Sequence, residues 1–526
     1  MIVPVRGMTT GLVLDVKDYL LPPNALNILQ NARVKSGSVV RGMALTEAQT
    51  YALTSNPVRG FFSVRTATEN YLVFCTPSEI LVGYGTTLDD ITQVGGYAGT
   101  AMDRWSGCLL GDVLVVTNNI DPPQMWSSPP NPATPMADLT AWPASTLCKT
   151  IKSFKNFLVA SNVTKGSTVY PRLIKWSHPA AAGSVPSTWD ESDATKDAGE
   201  VNLGEGDSPL IDALVLQDYL VHYTERETWV QRFIGGRQIM GFSRIFPDQG
   251  ILAQGCAAQF SNQHFVVTTS DLVVHNASTW QSVATDRVRD RFFGLLNPTY
   301  YYLTQVAVDF NKSEIWVCFP ISGQVLERAL VWNWQYDTWY ERTLVDIDCV
   351  NTGIYPVAAA ANPWTITGET WDDTGVDWNP SSSPGTRERL LTVDSAGLVA
   401  YSNPNEFSDA YGSPWITYIG RTGLAIKGLA RNGQPVVDYD TIAQYQEFRP
   451  NISAPSGASV EFSFGVRDNE SDSVNFTINH TYVVGTTEFI PLYLVGRYLD
   501  FRIIYQEDSG FLFEGFDLDV VPLSRR

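Results

Sequence analysis

Six short apolar tetrads recur along the chain, each following polar turn residues. They are Tyr71–Phe74, Val113–Val116, Phe157–Ala160, Tyr219–His222, Phe265–Thr268 and Ile315–Cys318. Their starts at 71, 113, 157, 219, 265 and 315 give steps of 42, 44, 62, 46 and 50 residues. Each is followed by a second apolar run, around Leu81, Trp126, Trp176, Trp229, Val273 and Trp332, and most are preceded by another, such as "ALVLQDY". A unit of at least three strands repeating every 40–50 residues or so predicts the blades of a β-propeller. The tetrads are apolar at successive positions and do not alternate. A strand tolerates that only when both its faces are covered, as in blades stacked face to face. A solenoid would need helices in each unit, and the pattern offers almost none. A degenerate seventh copy is "RLLTVDSAGLVAYSN", Arg389 to Asn403, so six to seven blades are expected. Thr188–Ser208, acidic and Gly-rich, reads as an insertion loop in the long third step.

The chain changes character after about residue 405. Longer strands appear, and Val460, Phe462, Phe464 and Val466 alternate with other residues, as in a half-buried sandwich strand. The sequence therefore divides into an N-terminal arm of strand, short helix and hairpin (1–50), a propeller (51–405) and a β-sandwich-like platform (406–526). Helices are expected at "PPNALNILQNARV", with Asn24 as N-cap, and at "TDRVRDRFFGLL" from Thr285. Ala361–Thr386, rich in Trp and Asp, reads as a connecting loop. The fold class is all-β.

With 55 acidic and 36 basic residues the net charge is −19, which argues against wrapping DNA or RNA and suits a wall to which a passing polyanion does not stick. The six cysteines lack CxxC spacing and read as buried free thiols of a reducing compartment. The start has no signal-peptide pattern, and no run of 18 apolar residues suggests a membrane span.

No phosphate-binding loop, GxSxG, HExxH or dinucleotide fingerprint occurs. The five histidines (His178, His222, His264, His275 and His480) are scattered and lack zinc spacing. His222 and His264 read as core packing. The densest carboxylates, Asp190, Glu191 and Asp193, and Asp372, Asp373 and Asp377, lie in polar loops and read as solvated. No catalytic, cofactor-binding or metal residue is expected, nor a cofactor. Trp126, Trp176, Trp229 and Trp332 recur at one place in the unit and read as blade packing. Trp334 shares the face of Trp332, and Trp339 has no counterpart; if any of the three is exposed for binding, it is Trp339.

Gly11–Ala48 resembles the N-terminus of tail nozzle or hub (tail tubular) proteins of short-tailed, podovirus-type bacteriophages. The matching residues are Leu21, Pro22, Pro23, Asn24, Ala25, Asn31, Ala32, Arg33, Val34, Gly37, Val39, Arg41 and Gly42, although the adjacency of Arg41 and Gly42 departs from the family spacing. "ALVWNWQYDTWYERTL", the Arg389–Asn403 segment and Val495–Val521 resemble the same proteins. The resemblance implies a structural virion protein of the tail, not an enzyme, assembled in the host cytoplasm as a homohexamer. It would dock a tail adaptor ring and tail fibres or a needle, and let phage DNA pass without sequence-specific binding or membrane insertion. The rivals are a carbohydrate-binding or glycosidase propeller acting on host polysaccharide, and a host-binding scaffold propeller.

Overall fold

The computed structural model describes residues 1–526 except 54–55, 67–68, 127–128, 182, 205, 237, 356–387, 404–409, 412–414, 432 and 526. The Ala361–Thr386 loop and Asp372, Asp373 and Asp377 thus lie outside the described residues.

Among the described residues five separate four-stranded antiparallel sheets follow one another along the chain, and two further four-stranded units lie within one larger sheet. Blade 1 comprises Gly60–Arg65, Asn70–Cys75, Ile80–Tyr84 and Thr87–Asp90. Blades 2 to 5 begin at Ser106, Thr146, Leu210 and Ala257 and repeat the pattern. Blade 6 runs Gln305–Asp309, Glu314–Phe319, Leu326–Asn333 and the first half of Thr338–Gly353. The second half of that 16-residue strand is the innermost strand of blade 7, paired with Arg389–Asp394 and then Leu398–Asn403. The innermost strands neighbour one another in order, and that of blade 7 also lies beside Gly60–Arg65, so the ring is closed. The protein is a seven-bladed β-propeller.

The tetrads show why. Each lies in or at the end of the second strand of its blade and, apart from Tyr219, is buried on both faces. In blade 1, Leu72 and Phe74 pack with Leu391 and Val399 of blade 7, while Tyr71 and Val73 pack with Leu114, Val116 and Trp126 of blade 2. In blade 2, Val113 and Val115 turn the other way, onto Leu158 and Ala160 of blade 3. Successive side chains of a strand point to opposite faces, so each tetrad supplies two inter-blade cores at once.

Three expectations are corrected. The outermost strand of blade 7 is Ala44–Thr50, inside the segment read as an N-terminal arm; it pairs with Leu398–Asn403 and closes the ring. Gly199–Asn202, inside the stretch read as an insertion loop, is the outermost strand of blade 3. "PPNALNILQ" forms no helix. Ala25–Leu26 pairs with Gly11–Leu12 and Ile28–Gln30 pairs with Thr417–Leu424, while Asn24 hydrogen-bonds back to Gly7 and Thr9 instead of capping. Strand pairing with distant chain outweighs a marginal local helix preference. The second expected helix is present at Arg289–Leu295.

The remaining strands form a sandwich. One sheet runs Ile490–Gly496, Thr441–Ser453, Leu512–Arg525, Ser38–Arg41 and Ala32–Lys35, with Ile2–Arg6 also on Leu512–Arg525. The other holds Ile28–Gln30, Thr417–Leu424, Tyr498–Tyr505, Ser459–Arg467 and Ile478–Val483. The expected alternation holds as far as Phe462, with Glu461 exposed between buried Val460 and Phe462; Ser463, Phe464 and Gly465 are all buried and Val466 partly so, so the second half of the strand is covered on both faces. Phe448 stands at the centre, stacked on Phe516 at 4.7 Å between centroids and within 5.7 Å of Phe464, Phe501 and Phe462 from the facing sheet. Phe448→Ala should therefore lower unfolding free energy by about 3–5 kcal/mol, read by urea titration.

Candidate functional site: the platform and its junction with the propeller

Asn31 ties propeller to sandwich. It is buried and left-handed (φ 55), a conformation Asn tolerates better than most residues. Its backbone N–H donates to Glu341 O (2.8 Å), its Oδ1 accepts from Thr343 N (3.0 Å), and its Nδ2 donates to Ile416 O (2.8 Å). Its carbonyl accepts from Gly42 N (2.8 Å) and Thr417 Oγ1 (3.2 Å). One residue thus joins blade 6, the incoming N-terminal strand and the C-terminal sandwich. Around it, Arg342 of blade 6 lies 3.4 Å over the Trp415 ring and near Trp316. Arg41 donates to Trp415 O (2.7 Å). Arg33 reaches Glu314 of blade 6 (3.4 Å), which also accepts from the Tyr340 hydroxyl (2.9 Å). Burial raises the Glu314 pKa and Arg33 pulls it back.

The platform presents an edge strand, Ile490–Gly496, bonded among the described residues only to Thr441–Ser453. The register slips between Tyr445 and Glu447, leaving a bulge. Within it Tyr493 is left-handed (φ 50) and its side chain stands 69% exposed. Bulges and Pro blunt sheet edges, and Pro491 is here too. Phe489 and Val495 are also exposed, and Val495, Gln444 and Val521 are partners across three strands. The surface ion pairs nearby, Arg6–Asp517 and the N-terminus with Asp519, are each worth about 1 kcal/mol or less.

The propeller axis is crossed at one end. Arg104, just before the first strand of blade 2, donates to the carbonyls of Gln254 (2.9 Å), Tyr302 (3.3 Å) and Thr304 (3.2 Å), which lead into blades 5 and 6. Arg59 donates to Ala101 O and lies 3.7 Å from Asp348 of blade 7. Asp212 of blade 4 pairs with Lys152 of blade 3 (3.3 Å) and accepts from Gly255 N beside blade 5 (2.9 Å). These carboxylates are occupied in holding inner strands together.

The residues singled out from sequence fall apart in space. Asp190 and Asp193 accept from Ser192 and Thr195 in their own turns, and Glu191 pairs with Lys165 and Lys175. Among the described residues no three His, Cys, Asp or Glu side chains cluster as a metal site. All six cysteines are free thiols, Cys108 half-buried and the others buried. Trp126, Trp176, Trp229 and Trp332 are 0–8% exposed. Trp126 meets Tyr71 of blade 1, Trp176 meets Phe242 of blade 4, and Trp332 meets Phe260 and Phe265 of blade 5, which is the blade packing expected of them. Trp339 is instead fully buried, stacked on its cross-strand partner Trp332 and donating to Val283 O (3.0 Å). Trp334 is the half-exposed one, and Trp280, which matches no repeat position, is 47% exposed.

Two histidines carry an unforeseen feature at the joint of blades 4 and 5. His264 Nε2 contacts the Val215 carbonyl (2.8 Å), which can only accept, so this nitrogen carries the proton. Its Nδ1 must then accept from the Tyr223 hydroxyl (2.7 Å). That oxygen accepts from His275 Nε2 (2.7 Å), whose Nδ1 accepts from Ala277 N (3.2 Å). Every proton of this chain is assigned with both rings neutral. His222, between Ser161 and Gln231, is also buried. Burial holds the pKa of His222 and His264 down to about 4 and that of His275 to about 3.

No protein-family model matches the chain, and no curated protein matches it. Among solved structures it is similar to the crystal structure of BBS1N in complex with ARL6DN, soaked with mercury (10% identity, TM-score 0.39, 68% of this chain and 96% of that chain). It is also similar to Raptor from Chaetomium thermophilum (9% identity, TM-score 0.40, 69% of this chain and 30% of that chain). These distant likenesses carry no argument about function. No helix among the described residues is long and apolar enough to cross a membrane.

Because the histidine pKa values are depressed by folding, the unfolded chain binds more protons below pH 6.5. The stability they support is complete at pH 7 and falls as the pH drops toward 4. The expected loss between pH 7 and pH 5 is about 2 kcal/mol per histidine. Asp348, raised to about 6 by burial, takes up a proton in the folded state over the same range and offsets about 1 kcal/mol. Urea titrations at pH 7, 6 and 5 check this; equal midpoints would contradict it. Asn31→Ala, which strands Thr343 N and Ile416 O without partners, should cost about 2–4 kcal/mol, with faster hydrogen exchange at Thr417–Leu424.

Proposed function

We propose that the chain is a structural virion protein, the tail nozzle or hub of a short-tailed bacteriophage, acting as one subunit of a homohexameric ring. The observation that carries this reading is where the motif residues of the resemblance lie. Asn31, Arg33 and Arg41 sit at the junction where both chain ends become a single platform beside the propeller. A platform built from the two ends, with an edge strand carrying Tyr493, Phe489 and Val495 outward, suits contacts between copies of the chain. Aromatic side chains are favoured anchors of such interfaces.

The mechanism is geometric and electrostatic. The genome passes along the axis of the ring and not along that of a propeller, whose centre Arg104 crosses. With a net charge of −19, the walls repel phosphate and do not bind it. The adaptor ring docks on one end of the assembly, and fibres or a needle on the other.

Light scattering on the purified chain, with and without an adaptor ring, tests this. The expected particle has six times the chain mass, and Tyr493→Lys should shift it toward monomer while leaving the far-ultraviolet circular dichroism unchanged. A protein that stays monomeric at all concentrations and ignores the adaptor ring sinks the reading.

A further inference from the structure

The groove between blades 5 and 6 has a composition that packing does not explain. It is an open groove of about 270 Å³, just below the usual size of ligand pockets. Trp332 and Trp334 form one wall and Trp280, on the outermost strand of blade 5, stands in the lining with them. Trp332 is fixed by Phe265 (5.9 Å) and Trp339 (6.2 Å), and Trp334 is backed by Phe260 (5.2 Å). Trp280 is 47% exposed, and no ring stacks on it among the described residues.

The polar groups are Asp337, Gln263, Gln281, Thr279 and His275, whose two ring nitrogens are already engaged by Tyr223 and Ala277. Asp337 is held in place. Its Oδ1 accepts from Trp332 Nε1 (3.0 Å) and its Oδ2 from Arg287 Nη2 (2.7 Å), leaving each oxygen further acceptor capacity. The groove therefore combines two partly exposed indoles, Trp280 and Trp334, with the buried Trp332 behind them, an oriented carboxylate, two amides, a hydroxyl and an imidazole.

We infer that this groove binds a neutral saccharide, one or two pyranose units of a longer glycan. A pyranose has an apolar C–H face that lies on an indole, and a rim of hydroxyls that both donate and accept. Asp337 takes the donors, and the amides satisfy either role. A proline-rich peptide fits less well, because it offers carbonyl acceptors to a carboxylate that can only accept. A cationic ligand fits less well too, because Arg287 already neutralises Asp337. This site is independent of ring assembly and of the tail reading.

The test is tryptophan fluorescence of the full-length protein titrated with cellohexaose, maltohexaose and chitohexaose, and with a proline decapeptide. At least one oligosaccharide should shift the emission saturably below about 10 mM, and Trp280→Ala should weaken that by about tenfold or more. Asp337→Asn should weaken it as well. Trp280→Ala is at an exposed outer strand, so its thermal midpoint should match the parent, and that comparison separates lost binding from lost folding. Silence from all three oligosaccharides, undiminished binding by Trp280→Ala, or preference for the peptide would each overturn the inference. Light scattering on the same samples reports ring formation separately.

Discussion

The architecture depends on one buried amide. Asn31 sets the backbone of the N-terminal segment against Glu341 and Thr343 of blade 6 and Ile416 and Thr417 of the sandwich at once. From that fixed point the chain turns through Ala32–Lys35 and Ser38–Arg41 in the platform, and then becomes Ala44–Thr50, the strand that closes the propeller. Closure pairs segments about 350 residues apart, which costs little more entropy than a shorter loop but makes folding slow. Platform and propeller are thus joined by the same stretch of chain, and neither can be completed without it.

Within the ring the organising rule is simpler. Each second strand is apolar on both faces because a blade on either side covers it, and the recurring tryptophans fill the space between blades. Where a blade's needs are met elsewhere, aromatic side chains are released outward. Blade 6 has two cross-strand tryptophans already stacked in its interior, which leaves Trp334 at the rim of a groove.

Much of this was legible in the sequence, because burial on two faces and strand alternation leave direct marks. The tetrads, the degenerate seventh unit at Arg389–Asn403, and the alternation at Val460 and Phe462 are such marks. What escaped is set by partners far away in the chain. Ala44–Thr50 has an ordinary composition, and only its pairing with Leu398–Asn403 makes it a blade strand. Leu26 and Leu29 have helical spacing, yet they are strand residues because Gly11–Leu12 and Thr417–Leu424 offer edges. Trp339, with no repeat counterpart, was the first candidate for exposure among the three, whereas its cross-strand partner Trp332 holds it inside. For the groove, the only available signal was Trp280, an indole at a position where the repeat requires none.

In the proposed assembly, copies of this chain meet through the platform and leave the propellers at the periphery. Electron cryomicroscopy of the assembled protein tests it most directly. The expected map is a sixfold ring with Ile490–Gly496 at the subunit contact, an acidic lumen on the symmetry axis, and propeller axes away from that lumen. A map in which propeller centres form the conduit, or in which the platforms do not touch, would contradict it.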